Sequence, residues 1–297
     1  MNELNYARIY SDTLFQAFPY ALNYGALYAT PNNGRFRIKG GRIVEIPVIC
    51  TTGRTDASRD TVTDAQRNYE NLWEAKRLTN QRKWSTLIHP QDVDQTNYAT
   101  TISNITSVFN NEHKFPEMDA YAVSKIYSDW TNIGKEAVRT ELTAENVLSV
   151  FDTLMADMTE CRIPICGRIL YVTPEVMKLL KSSSAINRSI DARSGGSEIN
   201  RTVTMLDSVS VVEVPSDLML TAYDFSSGWE PASTAEQIHM FLIHPESVIT
   251  PVSYEFACLD EPSAATEGKY VYYEESFEDV FILNNRADGI SFVLSPN

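Results

Sequence analysis

"GRFRIKGGRIVEIPV" occupies residues 34–48 of a 297-residue chain whose formal net charge is −14. Its first nine residues carry Arg35, Arg37, Lys39 and Arg42 and no acid. The stretch reads as one side of a hairpin, with "RIVEIPVI" as its strand. A second run at 71–88, "NLWEAKRLTNQRKWSTLI", reads as the returning strand. Between them "CTTGRTDASRDTVTDAQR" is rich in Thr, Asp and Arg and nearly free of large apolar side chains, as an exposed tip requires. From Arg35 to Thr86 stand 11 Lys and Arg against 6 Asp and Glu, and the remainder has 14 against 33. The sequence therefore sets a basic projecting arm on a strongly acidic body.

The bulk properties exclude several classes. A pI near 4.8 argues against a general nucleic-acid binder, because phosphate binding needs a basic surface. No apolar run reaches the roughly 20 residues of a membrane span. "MNELNYARIY" lacks the apolar centre of a signal peptide, which points to a protein made and used in a cytoplasm. Cys50, Cys161, Cys166 and Cys258 then read as reduced thiols, and the Cys161–Cys166 pair as small buried hydrophobes. At 43% hydrophobic, the chain can bury the core of one large domain or two smaller ones.

Residues 1–33 are strongly aromatic, with Tyr6, Tyr10, Phe15, Phe18, Tyr20, Tyr24 and Tyr28, and Pro19, Gly25 and Pro31 prevent one long helix. So many large apolar groups on a terminal arm need a surface, in this subunit or the next. Helical periodicity follows. "NYATTISNITSVF" places Tyr98, Ile102, Ile105 and Phe109 on one face. "FPEMDAYAVSKIYSDWTNIG" has Pro116 as a first helical residue and an apolar stripe of Met118, Ala122, Ile126, Trp130 and Ile133. "TAENVLSVFDTLMADM" starts from Thr143 as N-cap and buries Val147, Phe151, Leu154 and Met158. From residue 163 the texture is mixed. "GRILYVTPEVMKLLKS" is a strand running into a helix capped by Thr173, "INRSIDARSGGSEINR" is a polar loop, and "SVSVVEV", "IHMFLIH", "SYEFACL", "KYVYYEE", "VFIL" and "ISFVL" are strands.

No catalytic constellation emerges. Cys161 and Cys166 lack a second metal half-site. His239 and His244 are an odd separation apart on a strand, so they face opposite ways. His89, Asp92 and Asp94 have the residue types of a metal-dependent hydrolase, but such residues ordinarily cap a turn and the helix behind it. "SGGS" at 194–197 reads as a loop tip rather than an anion cradle. No enzyme activity, metal or cofactor is expected.

The order of these parts resembles a tailed-phage major capsid protein of the Hong Kong 97-type fold. "GRIVEIPVI" resembles the rising strand of that family's extended loop. "KRLTNQRKWSTLIHPQDVDQTN" resembles its return strand and the acidic turn into the helices. "KFPEMDAYAVSKIY" resembles the start of the long spine helix, and "KYVYYEESFEDVFILNNRADGISF" the closing strands. The resemblance implies an α+β capsid fold. An N-terminal arm would span 1–33, an extended loop 34–88, a peripheral domain 89–160 with 250–297, and an axial domain 161–249. Met118, Ala122, Ile126 and Trp130 would be the core of the spine helix. Contacts between copies would run through Arg35, Arg37, Lys39, Arg42, Arg54, Arg59 and Arg67 of the loop and Tyr6, Tyr10, Phe15 and Phe18 of the arm.

The same resemblance implies an icosahedral shell of hexamers and pentamers around double-stranded DNA, held by non-specific contact only. It also implies a portal and no membrane. Many relatives carry a helical scaffold segment ahead of the arm; here the arm begins at Met1, which implies a separate scaffolding protein or none. Some relatives cross-link a loop lysine to an asparagine, for which Lys39, Lys76 or Lys83 with Asn284 or Asn285 are the available pairs. Related readings are an encapsulin-like protein cage and a phage head-connector or tail protein.

Overall fold

The computed structural model describes residues 20–54, 67–95, 101–183 and 203–296. Tyr6, Tyr10, Phe15, Phe18, Arg59, Tyr98 and the "SGGS" loop lie outside the described residues.

Three short apolar runs build the centre. They are β6 (Ile169–Val172), β11 (Ile238–Ile243) and β16 (Ile290–Leu294). Both of their faces are covered, which is why they read as mostly hydrophobic stretches, interrupted at His239 and Ser291, rather than alternating ones. β11 lies between the other two, antiparallel to each. The sheet is completed by β5 (Val138–Arg139) beside β16, and by β8 (Val209–Glu213) and β7 (Met205–Leu206) beyond β6. Alternate residues go to opposite faces. Tyr171, Phe241 and Phe292 stand in one row, in register across three strands. Phe241 stacks on Phe292 with centroids 4.5 Å apart, and Tyr171 lies 5.5 Å from Phe241. Each such pair contributes roughly 0.5–1.5 kcal/mol beyond its buried area. Leu170, Val172, Met240, Leu242 and Val293 fill the other face.

Helices cover both faces. After the single turn α1 (Gly25–Tyr28) and the short α2 (Pro90–Gln95), α3 (Ile102–Phe109) passes through a π turn at Asn110–Lys114 into α4 (Phe115–Asn132). The two expected helices are thus one continuous run. Pro116 has no N–H and its ring crowds the carbonyl four residues back, and the widened turn just before it absorbs that conflict. α4 lays Ala122, Ile126 and Trp130 on the aromatic face, with Trp130 5.2 Å from Phe292. Met118 is only half-buried, and Ile133 is exposed beyond the last turn, so the apolar stripe is shorter than its spacing suggested. α5 (Val147–Glu160) and α6 (Pro174–Ser182) cover the opposite face. Thr143 and Asn146 hydrogen-bond reciprocally just before α5, so Thr143 caps a turn that precedes the helix rather than the helix itself. Thr173 caps α6 as expected, accepting from the Val176 N–H.

The basic hairpin is a separate sheet: β1 (Arg37–Lys39), β2 (Ile43–Thr51) and β3 (Tyr69–Arg77), all antiparallel. Gly40 and Gly41, at φ 61° and 71°, make the turn between β1 and β2, a left-handed conformation that favours glycine. The expected single return strand is two. β3 ends at Arg77, and β4 (Gln81–Ile88) joins a different sheet beside β14 (Tyr270–Glu278) and β13 (Val252–Asp260). The break falls where Leu78 turns inward to join Val44, Ile46, Phe277 and Phe281 in a small core at the hairpin's root.

The expectation that Cys161 and Cys166 are buried was wrong. Cys50, Cys161 and Cys166 are exposed and Cys258 is half-buried. Cys50 lies toward the outer end of β2, and Cys161 and Cys166 lie in the turn after α5.

Candidate assembly surface

The hairpin is apolar where it projects. In β2 and β3 the root residues Val44 and Ile46 are buried, but farther out Ile49 is 67% exposed, Tyr69 and Leu72 55% and Trp73 44%. Ile49, Tyr69 and Trp73 fall on one face, with Pro47 opposite Trp73 and Thr51 opposite Tyr69. They stay largely open to solvent in the described subunit, with the Arg37 guanidinium over Trp73 and that of Arg67 over Tyr69.

The basic residues divide into two sets. Arg37 reaches Glu45 across the β1–β2 pair at 2.6 Å and lies 3.8 Å over the Trp73 ring, and Lys39 also reaches Glu45. The hydrogen bond from Arg37 holds the Glu45 carboxyl below the usual carboxylate range. These two charges are therefore partly balanced inside the hairpin, which their lack of acidic sequence neighbours had concealed. The partner sits eight positions from Arg37, opposite it in register. Arg35, Arg42, Arg54 and Arg67 are exposed. Arg42 lies 5.9 Å over Phe277 and Arg67 4.7 Å over Tyr69.

Residues 20–34 lie on the subunit's own body. Tyr24 is buried against Tyr171 at 4.7 Å, the Tyr28 hydroxyl donates to the Met118 carbonyl, and Asn33 exchanges hydrogen bonds with Thr250. Thr30 caps a short turn begun by Pro31, a Thr-Pro signal that the sequence did carry.

Between α3–α4 and the β4–β14–β13 sheet runs an open groove of about 320 Å³. Trp84 stacks on Phe109 at 3.9 Å along it, and Arg82 pairs with Glu117 and Lys114 with Glu274. Burial pushes the Glu278 carboxyl above its usual range, with Lys114 pulling against that and Glu255 and Glu117 adding to it. Its lining holds these carboxylates and cations together with His113, Tyr121 and Ser276.

The other sequence candidates are spread apart. His89 Nδ1 accepts from the Gln91 N–H at the start of α2, so the histidine does the capping there, and Asp92 lies in the first turn. His239 bonds Ser295 Oγ at 2.7 Å while His244 bonds the Cys166 carbonyl at 3.2 Å, so they serve different neighbours. Of the lysine–asparagine pairs, the structure brings Lys76 to Asn284, at 2.8 Å and within one chain. Lys76 is also paired with Glu74.

No family model matches the chain, and no curated protein matches it. Solved structures do. The chain aligns with a chain titled Mycobacterium phage Che8 at TM-score 0.60 and 13% identity, over 94% of this chain and 92% of that one. It aligns with a subunit of the bacteriophage PhiM1 mature capsid at TM-score 0.63 and 15% identity, over 86% and 82%. A chain of the cyanophage P-SCSP1u capsid follows at TM-score 0.61 and 11% identity, over 95% and 90%. The chain has the fold of a phage capsid subunit. This capsid fold is consistent with the α+β, Hong Kong 97-type architecture that the resemblance implied. Among the described residues no helix is long and apolar enough to cross a membrane.

Proposed function

We propose that this chain is the major capsid protein of a tailed phage, a structural subunit that assembles in many copies into a closed icosahedral head around double-stranded DNA. The observation that carries this reading is the projecting hairpin with its uncovered apolar face, on a fold shared with phage capsid subunits. A hairpin that leaves Ile49, Tyr69 and Leu72 more than half exposed is explained if another copy covers them. Burying an aliphatic side chain such as Ile49 stabilises a contact by roughly 1.5–3 kcal/mol. Arg35, Arg42, Arg54, Arg59 and Arg67 would set register against acidic neighbours, with Arg37 and Lys39 shaping the hairpin itself. Tyr6, Tyr10, Phe15 and Phe18 would add apolar contacts between copies.

In this reading 1–33 is the arm, 34–88 the extended loop, 89–160 with 250–297 the peripheral domain, and 161–249 the axial domain. A separate scaffolding protein and a portal would complete assembly in the bacterial host's cytoplasm, and the product would reside in the virion. The test is the double variant Ile49→Ser with Tyr69→Ser. It should keep the subunit's thermal stability within about 0.5 kcal/mol, as surface substitutions do, while abolishing shell formation. Normal shells from that variant would remove the observation's force.

A further inference from the structure

Two buried carboxylates meet at one turn of α4. Asp119 is fully buried. Its Oδ2 accepts from the Tyr20 hydroxyl at 2.6 Å, the Asn23 N–H at 2.8 Å and Asn23 Nδ2 at 3.0 Å, and its Oδ1 accepts from the Tyr24 N–H at 3.2 Å. Asp279, 2% exposed, follows β14. Its Oδ2 accepts from the Thr79 N–H at 2.7 Å and the Thr79 hydroxyl at 3.1 Å, and its Oδ1 from the Tyr121 hydroxyl and the Val280 N–H at 2.7 and 2.8 Å. Every one of these partners is a neutral donor. A buried carboxylate so surrounded costs desolvation that only a fixed set of donors offsets.

The two sets have a common plan. Asp119 ties the segment at residues 20–24 directly to α4. Asp279 ties the break between β3 and β4, where the hairpin leaves the body, to Tyr121, two residues along the same helix. We propose that Asp119 and Asp279 are positioning residues that fix, from one turn of α4, where the segment at residues 20–24 lies on the body and the direction in which the basic hairpin leaves it. The purpose rests on the assembly reading, because a shell requires both to be constant.

Each carboxylate also accepts a backbone N–H on each of its two oxygens: Asn23 and Tyr24 for Asp119, Thr79 and Val280 for Asp279. A backbone N–H cannot reverse its role. The isosteric amide of asparagine must turn its NH₂ toward one of the two, whichever way it flips. Shape is kept and one charge-assisted bond is replaced by opposed donors, enough to raise local opening about tenfold.

The test is amide hydrogen exchange, read by mass spectrometry on the full-length, unassembled chain. Asp279→Asn should speed exchange at 76–80 about tenfold and leave 20–24 and 122–130 unchanged. Asp119→Asn should do the reverse, speeding 20–24 alone. Tyr121→Phe, which keeps both backbone bonds to Asp279 but removes its tie to α4, should also speed exchange at 76–80, by less than tenfold; no change there would overturn the anchoring from α4. Unchanged local exchange in the asparagine variants overturns the proposal. So does equal acceleration at 122–130, which would make these groups general supports of the fold. Mixed with wild-type assembly partners, either asparagine variant should give aberrant or no particles; regular shells despite faster local exchange would refute the positioning role. If wild type itself forms no shells, the assembly reading fails, while the exchange contrast still decides whether the two carboxylates hold these roots.

Discussion

At the scale of single residues, Gly289 stands against a buried serine. A Cβ there would lie 2.2 Å from Ser247 Oγ, and Ser247 is buried. Gly289→Ala should cost about 1–3 kcal/mol, the range for overpacking a core. Ser247→Ala removes the oxygen in the way, so the double variant should recover part of that loss in denaturant unfolding; strict additivity would contradict the contact. Glu278 makes a second residue-level expectation. Its folded-state pKa is raised, chiefly by burial, so the folded chain holds that proton more tightly than the unfolded chain does. The associated stability is fully present below the unfolded pKa and is lost as pH rises through the folded one. Glu278→Gln should therefore stabilise the protein at pH above the raised folded pKa, with the gain shrinking as pH falls from there to the ordinary glutamate value. A gain that is constant with pH would assign the effect to packing instead. Neither residue was legible in the sequence. Gly289 meets Ser247 42 positions away, and Glu278 is set among Lys114, Glu117 and Glu255, which are distant from it in the chain.

At the scale of elements, legibility followed how much of each signal was local. The central strands β6, β11 and β16 were readable because burial on both faces leaves nearly continuous apolar runs, and α5 because Val147, Phe151, Leu154 and Met158 repeat with the helix. The junction at Leu78–Asn80 was not. Its residues continue the strand texture on both sides, and what breaks the strand is a distant core and Asp279. The π turn was likewise hidden, since Pro116 suits a helix start as well as a widened turn. The hairpin gives the element-scale expectation. Arg54, Arg59 and Arg67 place three tryptic sites within the polar stretch between β2 and β3. If neighbouring copies cover the hairpin, limited trypsinolysis should cut between 54 and 67 quickly in unassembled protein and much more slowly in particles. Equal rates in both forms would mean that this loop does not lie between subunits.

At the scale of the whole molecule, the fold joins an acidic body to a hairpin that is apolar and basic together. The charge segregation was visible in the sequence, but its partial balance through Glu45 was not, and this leaves the exposed apolar face as the stronger reason for association. Arginines outside the Glu45 pairing would then choose orientation more than strength. The measurement that tests this account most directly is a negative-stain electron micrograph of the protein expressed with its phage partners. Closed, uniform shells tens of nanometres across, built from many copies of this chain, are the expected result. A monodisperse monomer under the same conditions, with the hairpin's apolar face folded onto its own body, would contradict it.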